Sequence, residues 1–396
     1  MTSPPQPARP DPSTRPAAFA LLGLVALAMP LLAGCAQQNA PQTSYAAMGF
    51  TGDVTGQDAA KWPDLSGQTV TVLDQGAFDY VYSAARPLFE NLTHAKVKHI
   101  AAVDAGDALQ RAIREKGDPS FDVVYGIDNV LLWKAAQQDV FTPFKPTLAS
   151  RIDPSLVFFD QEGPWYATPV DHGYTAINTD PRSQITIGSL RDLVDHAGKF
   201  VTEDPRTSSP GLGFLLATVA TFGEKSTTSY DYTQYWDDLL AHGALVTSGW
   251  TEAYAQHYSA GYGAATGAAD KPIVNSYTTS PAYEVFNGGT VAGNVLAAPK
   301  STFHQVETMG LARGTKHLAA AQAWIEFTLT DAYQALQASQ NAVYPVVASV
   351  DVSSVYAHKD PAPGSFQDAG FTYAMIGANV DRWVKEWTDV YERHQA

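Results

Sequence analysis

The feature that most constrains the fold is a regular alternation of short apolar runs and helical repeats in the first half of the chain. β-rich runs lie at residues 69–73, 97–103 and 121–126, and helical spacing of apolar residues falls between them at 80–91 and 105–116. A β-α-β-α-β order requires a parallel sheet with right-handed crossovers. The sequence therefore predicts an α/β protein.

A second alternating set follows an extended segment at residues 163–178, where Pro169 favours an edge or crossing strand. Its predicted strands lie at 199–202, 244–247 and 273–277, and its predicted helices at 189–197, 212–222, 230–241 and 251–258. Two such sets predict two lobes, each a mostly parallel sheet flanked by helices. Because ligands bind beyond the carboxyl ends of parallel strands, we expect a ligand cleft between the lobes.

The domain boundaries follow from these patterns and from the ends of the chain. A strand from Gln305 and a helix at residues 317–329 are expected to return to the first lobe. The late helix that carries Trp383 and Trp387 on one face is expected to pack through these rings. The predicted divisions are a signal peptide at 1–34, a tether at 35–65, lobe 1 at 66–172 and 298–345, lobe 2 at 173–297, and a C-terminal helical segment packed on the lobes at 346–396.

The amino terminus predicts export. Arg9 and Arg15 precede an uncharged run at residues 17–33, and small residues follow up to Cys35. The LAGC sequence that ends at Cys35 resembles the lipobox of bacterial lipoproteins, which implies that this thiol is lipidated and tethers the protein to the cell membrane. The alternative is an ordinary secretion signal. Because Cys35 is the only cysteine, an intrachain disulfide, a thiolate zinc site and a CxxC centre are excluded.

The charge balance restricts the class of partner. The formal net charge of −15 argues against nucleic acid and against anionic membrane surfaces, so we expect membrane attachment through the lipid alone. The same charge mildly favours a cationic ligand, although solubility of an exported protein explains it equally well. We expect a monomer.

The segment from residue 203 to residue 254 combines several features that are typical of a site for a small ligand. Ser208 and Ser209 precede Pro210 and a long apolar run, so Ser209 is expected near a helix N-cap and Pro210 near the first helical position. The free N–H groups of such a helix start bind anions and oxygens. The alternative for both serines is structural capping alone.

Aromatic and acidic candidates complete the predicted site. Trp250 and Tyr277 supply flat faces, with Thr278 beside Tyr277, and Asp104 and Asp128 follow two predicted strands of the first lobe. These groups suit a small, flat, partly charged organic molecule. The alternatives are packing for the two rings, a turn role for Asp128 through capping of Val130 or Leu131, and Asp107 in place of Asp104 as the helix cap.

Enzyme motifs are missing from the sequence. There is no GxSxG or HExxH motif, and GEKST around Lys225 lacks the glycine that a phosphate-binding loop needs before its lysine. We therefore expect a binding protein without catalytic residues, cofactor or metal site.

Several blocks resemble those of the thiamine-binding substrate proteins of bacterial ABC importers. The resemblance covers residues 68–346 and is most specific in EDPRTSSPGLGFLL and SYTTSPAY. Its blocks, in order, are GIDNVLL (126–132), VDHGYTAI (170–177), EDPRTSSPGLGFLL (203–216), VTSGWTEAY (246–254), SYTTSPAY (276–283), QVE (305–307) and YPV (344–346). It implies a two-lobed, type II periplasmic-binding-protein fold that binds thiamine or a thiamine phosphate and delivers it to ABC permease subunits.

The resemblance also implies roles for the candidate residues. Ser208 and Ser209, with the helix start, would hold the hydroxyethyl or phosphate end of the ligand. Trp250 and Tyr277 would form aromatic walls, because stacking a cation such as thiazolium on Trp or Tyr contributes about 0.5 to 2 kcal/mol. Asp104 and Asp128 would bind the aminopyrimidine or balance the positive ring.

Three positions depart from the family pattern. Gln75 begins a Gln-Gly-Ala-Phe run where the family tends to carry Tyr-Asp-Ser-Phe, and Ala342 stands where it has a Trp. Tyr82 replaces a second Trp and is retained as a candidate contact. These departures leave open a transporter component for another small organic cation or pyrimidine. A surface lipoprotein used for adhesion or sensing is the alternative from a different class.

Overall fold

The computed structural model describes most of the chain after the amino-terminal region. The described residues are 48, 50, 53–76, 78–157, 164–225, 229–261, 269–286, 293–296, 298–352 and 372–395. The predicted signal peptide, the lipidation of Cys35 and part of the predicted tether lie outside them. No helix in these ranges is both long and apolar enough to span a lipid bilayer.

Within the described residues, ten strands form one sheet. Its main path follows the order β2-β1-β3-β9-β4-β7-β5-β6, while β8 and β10 pair with β4. The strands are β1 (Thr69–Asp74), β2 (Lys96–Ala101), β3 (Val123–Asp128), β4 (Ala167–Thr179), β5 (Phe200–Glu203), β6 (Leu245–Thr247), β7 (Ile273–Tyr277), β8 (Asn294–Val295), β9 (Phe303–Leu311) and β10 (Tyr344–Pro345).

Nine α-helices are described around this sheet, so the predicted α/β class is confirmed. The helices are α1 (Asp79–Thr93), α2 (Ala105–Arg114), α3 (Leu131–Gln137), α4 (Ser209–Phe222), α5 (Tyr232–Ala241), α6 (Ser280–Phe286), α7 (Leu318–Phe327), α8 (Asp331–Asn341) and α9 (Tyr373–Arg393). The helix predicted at 189–197 is a 3₁₀-helix, Leu190–Lys199, and the one predicted at 251–258 is a π-helix, Glu252–His257.

The sheet has a parallel set of strands at each end and an antiparallel centre. Strand β1 is parallel to β2 and β3, and β5 is parallel to β6 and β7, as the two predicted sets require. Between these sets β9 is antiparallel to both β3 and β4, and β4 is antiparallel to β7. The long strand β4 therefore continues the sheet from one parallel set to the other, in agreement with the crossing segment predicted there.

The start of α4 packs against the end of β5 because a glycine allows a very close approach. A Cβ atom on Gly211 would lie 2.6 Å from the carbonyl oxygen of Glu203. Since backbone atoms cannot move aside cheaply, a larger residue would push the helix away from the strand. This contact fixes the first turn of α4 next to the carboxyl end of the sheet.

The C-terminal helix α9 packs through its tryptophans, as the sequence predicts. Trp383 and Trp387 are 1% and 0% exposed and belong to the core formed around α4 and α5. The rings of Trp236 and Trp387 meet edge to face at 5.6 Å. Helix α9 packs on α5, so a segment that is distant in the sequence contributes side chains to the core around α4 and α5.

Candidate ligand-binding site

A pocket opens at the carboxyl ends of β1 and β7, where the two parallel sets approach each other. It contains about 640 Å³ of empty space, counting its open mouth. Its walls come from the loops after β1 and β2, the start of α4, the segment after β6, the turn after β7, strand β9 and the end of α8. The lining residues are Gln75, Val103, Asp104, Pro210, Trp250, Thr251, Tyr277, Thr279, Ser280, Glu307, Asn341 and Ala342.

One wall of the pocket is aromatic. The Trp250 ring stacks on Tyr254 with centroids 4.8 Å apart, and it lies 6.4 Å from the Tyr277 ring at an angle of 57°. The indole Nε1 of Trp250 donates to Ser276 Oγ over 2.8 Å. This bond and the stack fix the orientation of an indole that still lines the cavity.

Asp104 connects the start of α2 to the aromatic wall. Its carboxylate accepts a hydrogen bond from the Ala105 N–H over 2.7 Å, which makes Asp104 the N-cap of α2. Asp107 accepts from the Val103 N–H instead, so the alternative cap is wrong. The second carboxylate oxygen of Asp104 accepts a hydrogen bond from the backbone N–H of Trp250 over 3.5 Å. Burial raises the pKa of Asp104 to about 6, while surrounding hydrogen bonds lower it in part.

The start of α4 lies beside the pocket, and its two serines are buried. Ser208 is the N-cap residue, one position earlier than predicted, and its side chain makes no capping hydrogen bond to the helix. The Ser209 hydroxyl donates to one carboxylate oxygen of Asp128. The other oxygen of Asp128 accepts from the backbone of Val130 and Leu131 over 2.7 and 2.8 Å, so the predicted turn role of Asp128 is confirmed.

The structure thus places six of the predicted contacts in two groups. Asp104, Trp250 and Tyr277 line the pocket. Ser208, Ser209 and Asp128 are buried next to it, and the hydrogen bond from Ser209 to Asp128 joins the start of α4 to the end of β3.

Two predicted contacts lie elsewhere. Thr278 is 1% exposed, and its N–H donates to the Tyr174 carbonyl oxygen over 2.8 Å. The Tyr82 hydroxyl donates to the Val97 carbonyl oxygen, and its ring lies 4.3 Å from His99. Neither residue lines the pocket, so the geometry gives a ligand role for Tyr82 and Thr278 no support.

The most informative lining residue that the sequence did not single out is Glu307 on β9. One of its oxygens accepts from Gln75 Nε2 over 2.6 Å, and the other accepts from Gln305 Nε2 over 2.9 Å. The Gln305 amide also lies 3.1 Å from the Tyr277 hydroxyl. Burial raises the pKa of Glu307 well above its usual range, and the nearby carboxyl of Asp171 raises it further.

Two of the three departures from the family pattern, Gln75 and Ala342, line the pocket. Glu307 lies in the quoted QVE block, but its position in the middle of a strand gives no local indication of a binding role.

The titratable side chains that line the pocket include two carboxyls. Asp104 and Glu307 line it, and the described lining residues include no lysine, arginine or histidine. Glu203 lies behind Asp104 and is fully buried, and burial raises the pKa of its carboxyl to about 8. An acidic pocket with aromatic faces suits an organic cation.

Comparison with known proteins places this chain in a family. Residues 86–364 match the bacterial extracellular solute-binding proteins. The chain belongs to this family. It is also 30% identical over 334 residues to the thiamine-binding periplasmic protein of Escherichia coli (strain K12), covering 82% of this chain and 93% of that protein. The corresponding protein of Brucella abortus is 29% identical over 307 residues, covering 76% and 84%.

A solved structure described as a periplasmic thiamin binding protein has the same fold. It superposes on this solute-binding protein with a TM-score of 0.70 and 27% identity, covering 82% of this chain and 99% of that one. The predicted type II periplasmic-binding-protein fold is confirmed. The coarse prediction of an extracytoplasmic solute-binding role is confirmed as well, since the matched relatives are periplasmic binding proteins.

Proposed function

We propose that this solute-binding protein captures thiamine or a thiamine phosphate outside the cytoplasm and delivers it to an ABC importer. The proposal rests on one observation: the rings of Trp250 and Tyr277 and the carboxyls of Asp104 and Glu307 line the same pocket. Thiamine joins a flat cationic thiazolium to a flat aminopyrimidine. Aromatic faces stabilise a cation by about 0.5 to 2 kcal/mol each, and nearby carboxylates add an opposite charge.

The names of the related proteins support the same proposal. Both the Escherichia coli and the Brucella abortus proteins carry thiamine binding in their names. The pocket of this chain supplies aromatic rings and carboxyls, the groups that such a ligand needs. Asp104 and Glu307 are buried, and burial strengthens the attraction between a cation and a carboxylate.

The direct test is calorimetric titration of the soluble form, truncated after Cys35, with thiamine, its monophosphate and its diphosphate. We expect submicromolar binding of at least one of these, and Trp250→Ala is expected to weaken it by about 3- to 30-fold through loss of the cation–π contact. Trp133→Ala is the matched control, because Trp133 lies outside this pocket, against α9. No binding of any thiamine species to the wild type would reject the proposal.

A second candidate ligand is another small organic cation or a pyrimidine. It is favoured by one observation, namely that Gln75 and Ala342 both line the pocket and provide an amide and a small side chain at one wall. Competition of a panel of quaternary amines and aminopyrimidines against thiamine decides between the two candidates. A panel member that binds more tightly than every thiamine species identifies the second.

The proposed function includes a lipid anchor at Cys35. An anchored binding protein remains near its permease, which raises the local concentration of the loaded form. Fractionation of cells that express the full chain tests this proposal. We expect the wild type in the membrane fraction and Cys35→Ser in the soluble extracytoplasmic fraction. Membrane association that is unchanged in Cys35→Ser would contradict the anchor.

A further inference from the structure

Glu307 is a buried carboxyl held in a defined orientation in the pocket wall. It is 5% exposed, and its two oxygens each accept a hydrogen bond from a different glutamine amide. An ionised carboxylate has only acceptors, so two N–H donors stabilise that form more than the protonated acid. The two amides therefore lower the cost of a negative charge on Glu307.

The surroundings of Glu307 make that charge costly while the pocket is empty. The carboxyls that face it come from three different elements and are Asp171 on β4, Asp128 on β3 and Asp104 at α2. The phenol groups near it are those of Tyr277, Tyr125 and Tyr333, and they supply no positive charge. Burial and like charges favour the protonated form, and a positive charge brought by a ligand would offset that cost.

Gln75 is positioned to hold Glu307 by a special backbone conformation. Gly126 lies at an irregularity between Tyr125 and Ile127 and has a φ of +89°. A Cβ atom there would lie 2.7 Å from the side-chain carbons of Gln75. Because Gly126 has no side chain, the Gln75 side chain can pass over it and reach Glu307. The irregularity in β3 therefore contributes to the shape of the pocket.

We propose that Glu307 is the counter-charge for the cationic ring of the ligand, and that Gln75 is the positioning residue that makes the pocket select cations over neutral molecules of the same shape. This inference rests on the proposed function, because it assigns a specificity role within the same pocket. The inference adds Glu307 on β9 to the residues that bind the ligand. It also explains why this position holds a glutamate, although glutamine has the same shape and no charge.

The test compares Glu307→Gln with the wild type on two probes, thiamine and the neutral 4-amino-5-hydroxymethyl-2-methylpyrimidine. The substitution keeps the shape and removes the charge. We expect thiamine affinity to fall by about tenfold or more, while the affinity for the neutral pyrimidine changes by less than about twofold. Gln75→Ala is expected to reduce the preference for thiamine by a smaller factor, because Glu307 is retained but less firmly held.

Glu326→Gln is the matched control. Glu326 is also fully buried, and burial raises the pKa of its carboxyl to about 7. It accepts a hydrogen bond from the Leu148 N–H and does not line the pocket. Thiamine affinity is expected to stay at the wild-type value in this variant.

Proton release separates a charge role from a merely structural one. A cation next to Glu307 stabilises the ionised form, so wild-type binding near neutral pH is expected to release protons and to tighten as the pH rises. Asp104, Asp128 and Asp171 also contribute to the number of protons released on binding. Calorimetry in buffers of different ionisation enthalpy should therefore show that Glu307→Gln releases fewer protons than the wild type, but still some.

The outcomes distinguish this inference from the proposed function. A wild type that binds no thiamine species rejects both. A wild type that binds thiamine, with Glu307→Gln binding it equally well and releasing as many protons, overturns the role of Glu307 and leaves the proposed function intact. Equal losses for thiamine and for the neutral pyrimidine also overturn it, because they indicate a change of pocket shape.

Discussion

Individual carboxyls in this protein are buried to an unusual degree near the pocket. Glu203 ends β5 with 0% exposure and accepts a hydrogen bond from Asn275 Nδ2 over 2.8 Å. The same Asn275 amide donates to the Pro210 carbonyl oxygen, which connects Glu203 to the first turn of α4. Burial raises the pKa of Glu203 to about 8 and that of Asp171 to about 7. Both groups therefore favour protonation in the folded protein.

These raised pKa values predict a pH dependence of stability. The folded state binds more protons than the unfolded state above the ordinary carboxyl range, so the free energy of unfolding of the unliganded protein should fall as the pH rises towards 8. The slope for one such proton is about 1.4 kcal/mol per pH unit. Glu203→Gln should flatten the profile, as measured by urea unfolding across this pH range.

Asp389→Asn provides the control for this profile. Its side chain is 54% exposed on α9 and pairs with Lys385. Exposed pairs of this kind contribute little to stability, so the pH profile of Asp389→Asn should follow the wild type. A Glu203→Gln profile as steep as the wild-type profile would show that Glu203 does not take up the proton.

At the scale of elements, α9 contacts the loop that leads into α4 through aromatic rings and a guanidinium. The rings of Trp387 and Tyr391 stack at 5.0 Å, and Arg206 lies over both, 5.6 and 5.5 Å from their centroids. Arg206 is held by Asp204 through three side-chain hydrogen bonds. The helix near the end of the chain therefore supports the loop that leads into α4 and the pocket.

We expect Trp387→Ala to lower the free energy of unfolding by about 3 to 5 kcal/mol, because it leaves a cavity against Trp236 and removes the surface under Arg206. Met375→Ala on the same helix is the control. Met375 is 46% exposed, so its loss should change stability by no more than about 0.5 kcal/mol. Chemical unfolding of both variants measures the difference. Equal stability of the two would show that α9 contributes nothing to the core.

At the scale of the whole molecule, direct contacts join the two parallel sets of strands beside the pocket. The Gly106 N–H at the start of α2 donates to the Thr207 carbonyl oxygen over 3.1 Å. Asp104 approaches the Trp250 backbone, and Ser209 bonds to Asp128. These contacts describe an arrangement in which the pocket is closed at this side. The exact boundaries of the two predicted lobes stay a prediction.

We expect Gly106→Ala to hinder this closure. A Cβ atom there would lie 2.8 Å from the Thr207 carbonyl oxygen and 2.9 Å from that of Arg206, and backbone oxygens cannot move aside without separating the two elements. Thiamine affinity should fall by about tenfold or more, because part of the binding energy is then used to force the contact. Titration calorimetry gives the affinity, and small-angle scattering should show less compaction on ligand addition than in the wild type.

Gly188→Ala is the control for this substitution. The nearest atom to a Cβ on Gly188 is a side-chain oxygen of Asp192 at 3.4 Å, so the change is expected to alter neither affinity nor compaction. Full affinity and full compaction in Gly106→Ala would show that the contact between α2 and the α4 loop does not limit closure.

The sequence by itself determined the features that depend on local order. The spacing of apolar residues placed the strands and helices of both parallel sets, because each element forms from neighbouring residues with a regular period. The pattern of Trp383 and Trp387 predicted their packing in the core. The family blocks predicted the solute-binding fold and two lining residues of the pocket, Trp250 and Tyr277, and the end of a predicted strand indicated a third, Asp104.

Only the tertiary structure decided which distant residues meet. Strand β9 lies between β3 and β4, and this order carries Glu307 to the Gln75 amide, which is 232 positions away in the sequence. Tertiary packing also buries Ser209 at the start of α4 against Asp128 on β3, and it leaves Tyr82 on α1 beside His99 on β2, away from the pocket. Local periodicity contains no information on strand order, because that order is set by the packing of the whole sheet and its helices.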